Sequence, residues 1–381
     1  MKNNNPAEKL LLEISSLPTA AGREDAVIAR VAQWVSARSA RLGMAGDRHG
    51  NLVITRKGFK AAASKKAPLF ITAHMDHPAF VVLSAGRTLE LEFRGGVQNP
   101  YFKGSAVEVI IPGRAPAVAK ITALDPAAKP FKRAKAALAR PSDAAHIKPG
   151  FIARWKFPPA GISNGLAHTH ACDDLACVAA ALSAYDAISR DPALGHVALL
   201  FTRAEEVGFV GAIGAARGGT IPKGSRLVCL ECSRSFPHDS PIGAGPIVRV
   251  GDRMSVFTPE LTNSVSAVAE GYAKEKSAFR FQRKLMPGGV CEASAFSAYG
   301  IHSTCVCLPL GNYHNMAGVE AVEAGARSAR PGREFVSVAD YHGMIELLGA
   351  IARRLDAPGH SRLASMEKIW AERGPLLDGA K

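Results

Sequence analysis

The sequence lacks any apolar run long enough to cross a bilayer, so it does not predict a membrane-spanning protein. It also lacks a Gly-x-Ser-x-Gly segment, which argues against a serine nucleophile on a strand-to-helix elbow. Acidic residues are few: 33 stand against 47 Lys and Arg, and the net charge is +14. Aromatic residues are scarce as well, and the densest basic stretch, residues 129–140, holds only Phe131 as a base-stacking candidate. We therefore interpret that stretch as a solvated surface and expect no nucleic-acid partner.

The cysteines do not predict a disulfide framework, because they number seven and most lie within apolar segments. Reduced, buried thiols are the simplest interpretation, and with an opening segment too short and too charged for a secretory signal they favour a cytoplasmic protein. Cys229-x-x-Cys232 together with Cys305-x-Cys307 resembles a structural zinc clamp. The apolar neighbours and the spacing of the second pair argue against that clamp.

The length of 381 residues favours about two domains, or one domain that carries an insertion. Hydrophobic residues make up 47% of the chain and charged residues 21%, as in a globular α/β protein.

Four apolar runs of strand length share one design, in which polar residues follow each run at its carboxyl end. They are residues 69–71 before His74 and Asp76, residues 197–201 before Glu205 and Glu206, residues 227–230 before Glu231, and residues 305–308, which lead through Pro309 to His314.

Helical patterns alternate with these runs at residues 24–42, 173–189, 209–217, 259–276 and 338–355. Strands buried on both faces and separated by helices predict an α/β fold with a mainly parallel sheet sandwiched by helices. The ligand crevice of such a sheet lies at the carboxyl ends of its strands, where the polar residues fall.

The sequence pattern changes in residues 82–158. Short β-like runs are separated there by Gly and Pro, and no long amphipathic helix is predicted. We predict a small β-rich domain inserted there. Residues 1–81 and 159–381 would then form one discontinuous catalytic domain.

The polar residues at the strand ends are of the types that bind divalent metal ions, because imidazoles and carboxylates suit zinc, cobalt or manganese. Asp173, in the first turn of its helix, is placed to bridge two cations about 3.5–4 Å apart. Each residue also has a structural interpretation: a core histidine for His74, a helix cap for Asp173, acids at a helix N-terminus for Glu205 and Glu206, an arginine partner for Glu231, and a turn residue for His314. His168 and His170 lie near Asp173 in sequence and are weaker ligand candidates.

In this order, His-x-Asp, Asp-Asp, Glu-Glu, acid and His, the chain resembles the tetrahedral and glutamyl aminopeptidases of metallopeptidase family 42, within the clan of co-catalytic di-zinc exopeptidases. The similarity covers nearly the whole chain. The motifs that carry it are Leu17-Pro18 to Gly22-Arg23-Glu24, Ala73-His74-Met75-Asp76, Asp173-Asp174, Glu205-Glu206-Val207-Gly208, Gly288-Gly289 and Tyr313-His314-Asn315.

The resemblance implies a di-metal aminopeptidase that removes N-terminal residues from peptides through a metal-bridging hydroxide, and a homo-oligomer. It places His74, Asp173 and Glu231 on one metal and Asp173, Glu206 and His314 on the other. It makes Glu205 the general base and Asp76 the residue that orients His74. It also implies a cis peptide after Asp173.

Three positions depart from the family pattern: Glu231 stands where Asp is usual, His77-Pro78 follow the His-Met-Asp motif, and Val290-Cys291-Glu292 follow the glycine pair. Two other functions compete with the aminopeptidase. One is a deacylase of N-acyl amino acids or small amides that uses the same metals, and the other is a basic binding protein without catalysis.

Overall fold

The structure is a computed structural model that describes residues 5–59, 66–325, 329–357 and 362–377. Its helices are α1 Pro6–Ile14, α2 Asp25–Ser36, α3 Leu175–Ile188, α4 Val210–Gly218, α5 Pro259–Glu275, α6 Glu292–Ala298, α7 Val319–Glu323, α8 Val338–Arg354 and α9 Arg362–Arg373. Its strands are β1 Leu42–Gly46, β2 Leu52–Arg56, β3 Leu69–His74, β4 Ala79–Ala85, β5 Leu89–Arg94, β6 Ala106–Val109, β7 Ala117–Asp125, β8 Lys132–Leu138, β9 Ile152–Trp155, β10 Gly161–Ser163, β11 Leu166–Thr169, β12 Val197–Thr202, β13 Arg226–Arg234, β14 Ile247–Arg249, β15 Gln282–Lys284, β16 His302–Leu310, β17 Met316–Ala317, β18 Arg330–Pro331 and β19 Glu334–Ser337.

An eight-stranded sheet forms the centre of the molecule, in the order β1-β2-β12-β3-β13-β16-β14-β15. The four predicted strands are its neighbouring parallel strands β12, β3, β13 and β16. Both flanks differ from the mainly parallel prediction, because β2 pairs antiparallel with β12 and β14 pairs antiparallel with β16. Glu231 was expected to close its strand, but β13 continues to Arg234.

Helices cover both faces of this sheet. One core contains residues from α1, α2, α3, α5 and α8, and a second core on the opposite face contains residues from α4 and α6. All five predicted helices form. Helix α2 ends at Ser36 rather than residue 42, because no apolar residue larger than alanine occurs between Val35 and Leu42 to bury against the core. Helix α4 approaches the sheet closely, since a Cβ on Gly211 would lie 2.3 Å from the carbonyl oxygen of Arg203.

A closed six-stranded barrel, in the order β4-β5-β8-β7-β6-β9, interrupts the α/β elements between β3 and β10. It runs from Ala79 to Trp155, within three residues of the predicted insertion at each end. Aromatic side chains fill its interior: the ring of Phe93 lies 4.7 Å from Phe80 and 4.9 Å from Phe102. That this barrel is a domain of its own stays a prediction.

All seven cysteines are free and buried, as predicted. Cys229 and Cys232 belong to cores on opposite faces of the sheet, so they do not form the zinc clamp considered above. None of the described helices is both long enough and apolar enough to cross a membrane.

Candidate metal centre

The predicted ligands converge at the carboxyl edge of the parallel strands. His74 ends β3, Glu206 lies in the loop after β12, and Glu231 lies within β13. His314 lies in a short 3-10 turn after β16. Asp173 was predicted in the first turn of its helix, but it comes two residues before α3, because Asp174 is the N-cap of that helix. They meet because parallel neighbours bring their carboxyl ends to the same edge of a sheet.

Asp173 presents one carboxylate oxygen to each of the two histidines. Its Oδ1 lies 3.4 Å from Nε2 of His74, and its Oδ2 lies 3.5 Å from Nε2 of His314. Each histidine also faces a second carboxylate: Glu231 Oε1 is 3.7 Å from His74 Nε2, and Glu206 Oε2 is 3.4 Å from His314 Nε2. Asp173 is therefore the shared member of two groups of three residues.

Hydrogen bonds fix the ring of each histidine. Nδ1 of His314 donates to the carbonyl oxygen of Gly96 in the barrel segment, at 2.6 Å. Nδ1 of His74 lies 3.2 Å from the carbonyl oxygen of Asp76 and 3.5 Å from its carboxylate. An imidazole that donates through Nδ1 keeps the Nε2 lone pair for a metal ion, so both rings present a ligand atom to the cluster.

The carboxylate of Asp76 has a further contact that the sequence did not predict. Its two oxygens accept the backbone N–H groups of Glu205 at 2.9 Å and Glu206 at 3.1 Å. One buried carboxylate therefore fixes the backbone of both glutamates. Glu205 Oε2 lies 3.9 Å from Nε2 of His74, beside the ligands.

Residues behind Asp173 complete its support. Its backbone N–H donates to Glu334 Oε2 at 2.9 Å, and its carbonyl oxygen accepts from Nδ1 of His77 at 2.5 Å. The peptide bond between Asp173 and Asp174 is cis, as the resemblance implied. In the sequence, His77 stands out only as a departure from the family pattern, and Glu334 is not among the predicted site residues. The signal for Glu334 was an acid at the start of a short apolar strand.

Burial and charge set the protonation of the cluster. Burial raises the pKa of Glu205, Glu206 and Glu231 well above their ordinary value, and repulsion from neighbouring carboxylates adds to this. Burial also opposes ionisation of Asp173, but contacts with His314 and His74 outweigh it and hold its pKa low. Burial lowers the pKa of His74, whereas Glu205 and Asp173 raise it to a value well above the ordinary one.

The donor set fits divalent cations. Asp173 Oδ1 and Glu206 Oε1 are buried and accept no hydrogen bond from the described residues. Two sets of ligand atoms, His74-Asp173-Glu206 and His74-Glu205-Glu231, each lie within 4.8 Å of one another. Buried carboxylates without partners are costly unless a positive charge joins them, and a nitrogen and oxygen donor set suits zinc, cobalt or manganese.

A cavity of about 330 Å³ opens onto the ligands, and two arginines line its wall. Arg234 is paired, since its guanidinium lies 3.0 Å from Glu320 and 2.8 Å from Glu323. Arg249 is 2% exposed and donates through Nε to Ser233 Oγ at 3.1 Å, and no carboxylate of the described residues pairs with it. The cavity thus carries a positive charge that no carboxylate of the described residues neutralises. The signal in the sequence was a lone charge inside the apolar run Ile247 to Val250.

The two weaker ligand candidates, His168 and His170, lie apart from the cluster of predicted ligands. The ring of His170 packs beside Phe157, and its Nε2 is 3.8 Å from Glu108 in the barrel. His168 packs against Phe335. Neither belongs to a group of possible metal ligands among the described residues.

The carboxyl edge of the sheet gathers one aspartate between two imidazoles, together with three glutamates. An α/β protein with such a site belongs to the class of metal-dependent hydrolases. A sequence model of the M42 glutamyl aminopeptidase family matches residues 50–327, so the chain belongs to that family. The predicted activity class, a metal-dependent aminopeptidase, is confirmed. No curated protein matches the chain.

Solved structures share the fold. An aminopeptidase from the archaeon Desulfurococcus kamchatkensis is 20% identical, with a TM-score of 0.71 over 92% of this chain and 97% of its own. The TET1 peptidase of Pyrococcus horikoshii, described as assembling into a tetrahedron or a large octahedral shell, is 19% identical, with a TM-score of 0.70 over 91% and 99%. An M18-family aminopeptidase of Thermotoga maritima is 14% identical, with a TM-score of 0.61 over 92% and 97%.

Proposed function

We propose that this aminopeptidase holds two divalent cations, with His74, Asp173 and Glu231 around one and Asp173, Glu206 and His314 around the other. The observation that carries the proposal is the placement of the two Asp173 oxygens, 3.4 Å and 3.5 Å from the two histidines. Zinc suits this donor set, and cobalt or manganese also fits it. When bound, the cations supply Lewis-acid polarisation of the scissile carbonyl and lower the pKa of water.

Glu205 is the proposed general base. Its carboxylate lies beside the proposed ligands, and burial raises its pKa above the ordinary value, which makes it a stronger base. It takes a proton from the attacking water on one oxygen and returns it to the leaving amine. Asp76 positions Glu205 through the backbone N–H group and helps to orient His74 through the main chain.

Arg249 favours substrates whose N-terminal residue has an acidic side chain. Glu231 and Ser233 lie two residues apart on β13 and so share a face, about 7 Å apart along the strand. Arg249 contacts Ser233 and lines the same cavity as the proposed ligands, so its charge faces the space that a substrate side chain would occupy. A buried guanidinium that no carboxylate of the described residues neutralises is matched by the carboxylate of a substrate, which it binds through paired hydrogen bonds.

We also propose a quaternary state and a cellular location. One neighbour, 21% identical, is described as a dodecamer. We propose that this chain likewise forms a homo-oligomer and that it acts on peptides. Its seven free thiols suit the reducing cytoplasm, which is the location that we propose.

The test is hydrolysis of aminoacyl anilides and short peptides by protein from which a chelator has removed the metal, before and after addition of zinc, cobalt or manganese. We expect no activity without metal, restored activity with it, and the highest kcat/KM for substrates with N-terminal Glu or Asp. N-acylated versions of the same substrates are the matched control and should not be cleaved. Cleavage of only the acylated set would overturn the aminopeptidase in favour of a deacylase.

A further inference from the structure

A second group of possible ligands lies beside the metal centre and takes no part in the proposed reaction. It consists of Cys177 in α3, Cys232 in β13 and Asp174, which comes directly before α3. Cys177 and Asp174 are fully buried, and Cys232 is 2% exposed. Cys232 is also one of the residues that line the active-site cavity, so the group lies directly behind the cavity wall.

The geometry of this group matches that of a metal site. The two Sγ atoms are 3.9 Å apart. Two thiolates bound at 2.3 Å to a tetrahedral zinc ion lie about 3.8 Å apart. The two sulfur atoms and a carboxylate oxygen of Asp174 all lie within 4.8 Å of one another.

An unpartnered oxygen gives an independent indication of a missing ligand. Oδ1 of Asp174 is buried and accepts no hydrogen bond from the described residues, whereas Oδ2 accepts the backbone N–H of His74 at 3.3 Å. The thiols have weak contacts: Cys177 Sγ lies 3.4 Å from the carbonyl oxygen of Glu231 and also contacts the Asp174 carboxylate, and Cys232 Sγ lies 3.3 Å from the carbonyl oxygen of Cys172. A thiol is a weak donor, so these contacts do not hold it firmly.

The other close pair of cysteines differs in its surroundings. Cys305 and Cys307 have Sγ atoms 3.4 Å apart, but no group of possible metal ligands among the described residues includes them. The nearby charge is that of Arg249, which attracts the Cys307 thiolate and would repel a cation. Cys305 therefore provides a matched control, because its thiol is as buried as that of Cys177.

We propose that Cys177, Cys232 and Asp174 bind a third divalent cation of the zinc type, separate from the two at the catalytic centre. Binding breaks two S–H bonds, forms two sulfur–metal bonds and releases two protons to solvent. The cation joins α3 to β13 and holds Asp174, which in turn holds the backbone of His74. Its role is positioning.

The test is titration of the metal-free wild-type chain with Co²⁺, followed by absorption spectroscopy and metal analysis. The five proposed catalytic ligands offer only nitrogen and oxygen, so a thiolate-to-cobalt charge-transfer band reports on cysteine alone. We expect that band to grow in with a third equivalent of cobalt. If activity is restored by two equivalents and no band forms with excess cobalt, the third site is wrong while the proposed function stands.

Three variants test which cysteine gives rise to the charge-transfer band. Cys177→Ser should lose it together with the third equivalent, whereas Cys305→Ser should keep both. Cys177→Ala provides a second test that leaves no buried hydroxyl, and thermal unfolding confirms that each variant is folded. A band that survives in Cys177→Ser and Cys177→Ala, or disappears in Cys305→Ser, would overturn the assignment.

Discussion

The central sheet and the barrel use β-strands in opposite ways. All six residues of β3 and of β12 are buried, so chemistry is confined to their ends, where His74 and the loop with Glu205 lie. In barrel strand β8 burial alternates: Ala134 and Ala136 face inward, and Lys135 between them faces solvent. Strands buried on both faces direct polar residues to an edge, whereas alternating strands direct them outward.

At the metal centre the barrel segment contributes the carbonyl oxygen of Gly96, which accepts the hydrogen bond from His314. The barrel segment contributes none of the proposed ligand side chains. Changes at the sheet edge should therefore act on turnover, and changes in the barrel interior should act on stability.

The largest expected effect is that of Glu205→Gln. The amide keeps the size of the side chain but cannot accept the proton, so kcat should fall by about 10²–10⁴-fold. Metal analysis should still find the catalytic metals. Glu275→Gln on α5, whose side chain is 57% exposed and pairs with Arg354, is a control that keeps its activity. Substantial turnover by the Glu205 variant would show that another group is the base.

The next effect is that of Phe93→Ala in the barrel. The ring is 1% exposed and packs against three other aromatic side chains, so its loss should lower the free energy of unfolding by about 3–5 kcal/mol. Denaturant unfolding measures this. At temperatures where the variant remains folded, kcat/KM should stay near that of the wild type, and a loss as large as that of Glu205→Gln would erase the distinction between the two regions.

A smaller and selective effect is expected for Arg249→Met. A hydrogen bond to a charged group contributes about 1.5–3 kcal/mol, so kcat/KM for an N-terminal Glu substrate should fall by about 10–150-fold. The value for an N-terminal Leu substrate should change little. Arg234→Met is the control, because two carboxylates already neutralise that arginine. Equal losses on both substrates would remove Arg249 from substrate selection.

The smallest effect is expected for Lys135→Ala. Its side chain is 59% exposed, and its contact with Glu90 at 3.5 Å is also exposed. The free energy of unfolding should change by less than about 0.5 kcal/mol, with no change in kcat/KM. A clear loss of activity would mean that the solvated barrel face takes part in function.

The sequence predicted the parallel centre of the sheet because long apolar runs reveal strands that are buried on both faces. It did not predict β14 and β15, which are three residues each, or their pairing. Their residues lie far apart in the chain from their partners, and only packing of the whole sheet selects those partners.

The proposed ligands were predictable because each lies near the carboxyl end of an apolar run or just before a helix. Arg249 and Glu334 were not identified, since their importance depends on what surrounds them in space. Glu334 supports Asp173 from a strand 161 residues away, and no local pattern links the two.

The alignment of β3 with β12, which places His74 opposite Thr202, makes the metal centre a test of correct folding. A slip of one residue would turn the imidazole to the opposite face of the sheet. Only the native alignment would then bind metal tightly. Cations present during refolding should therefore increase the yield of correctly paired chains, by stabilising one register among its near alternatives.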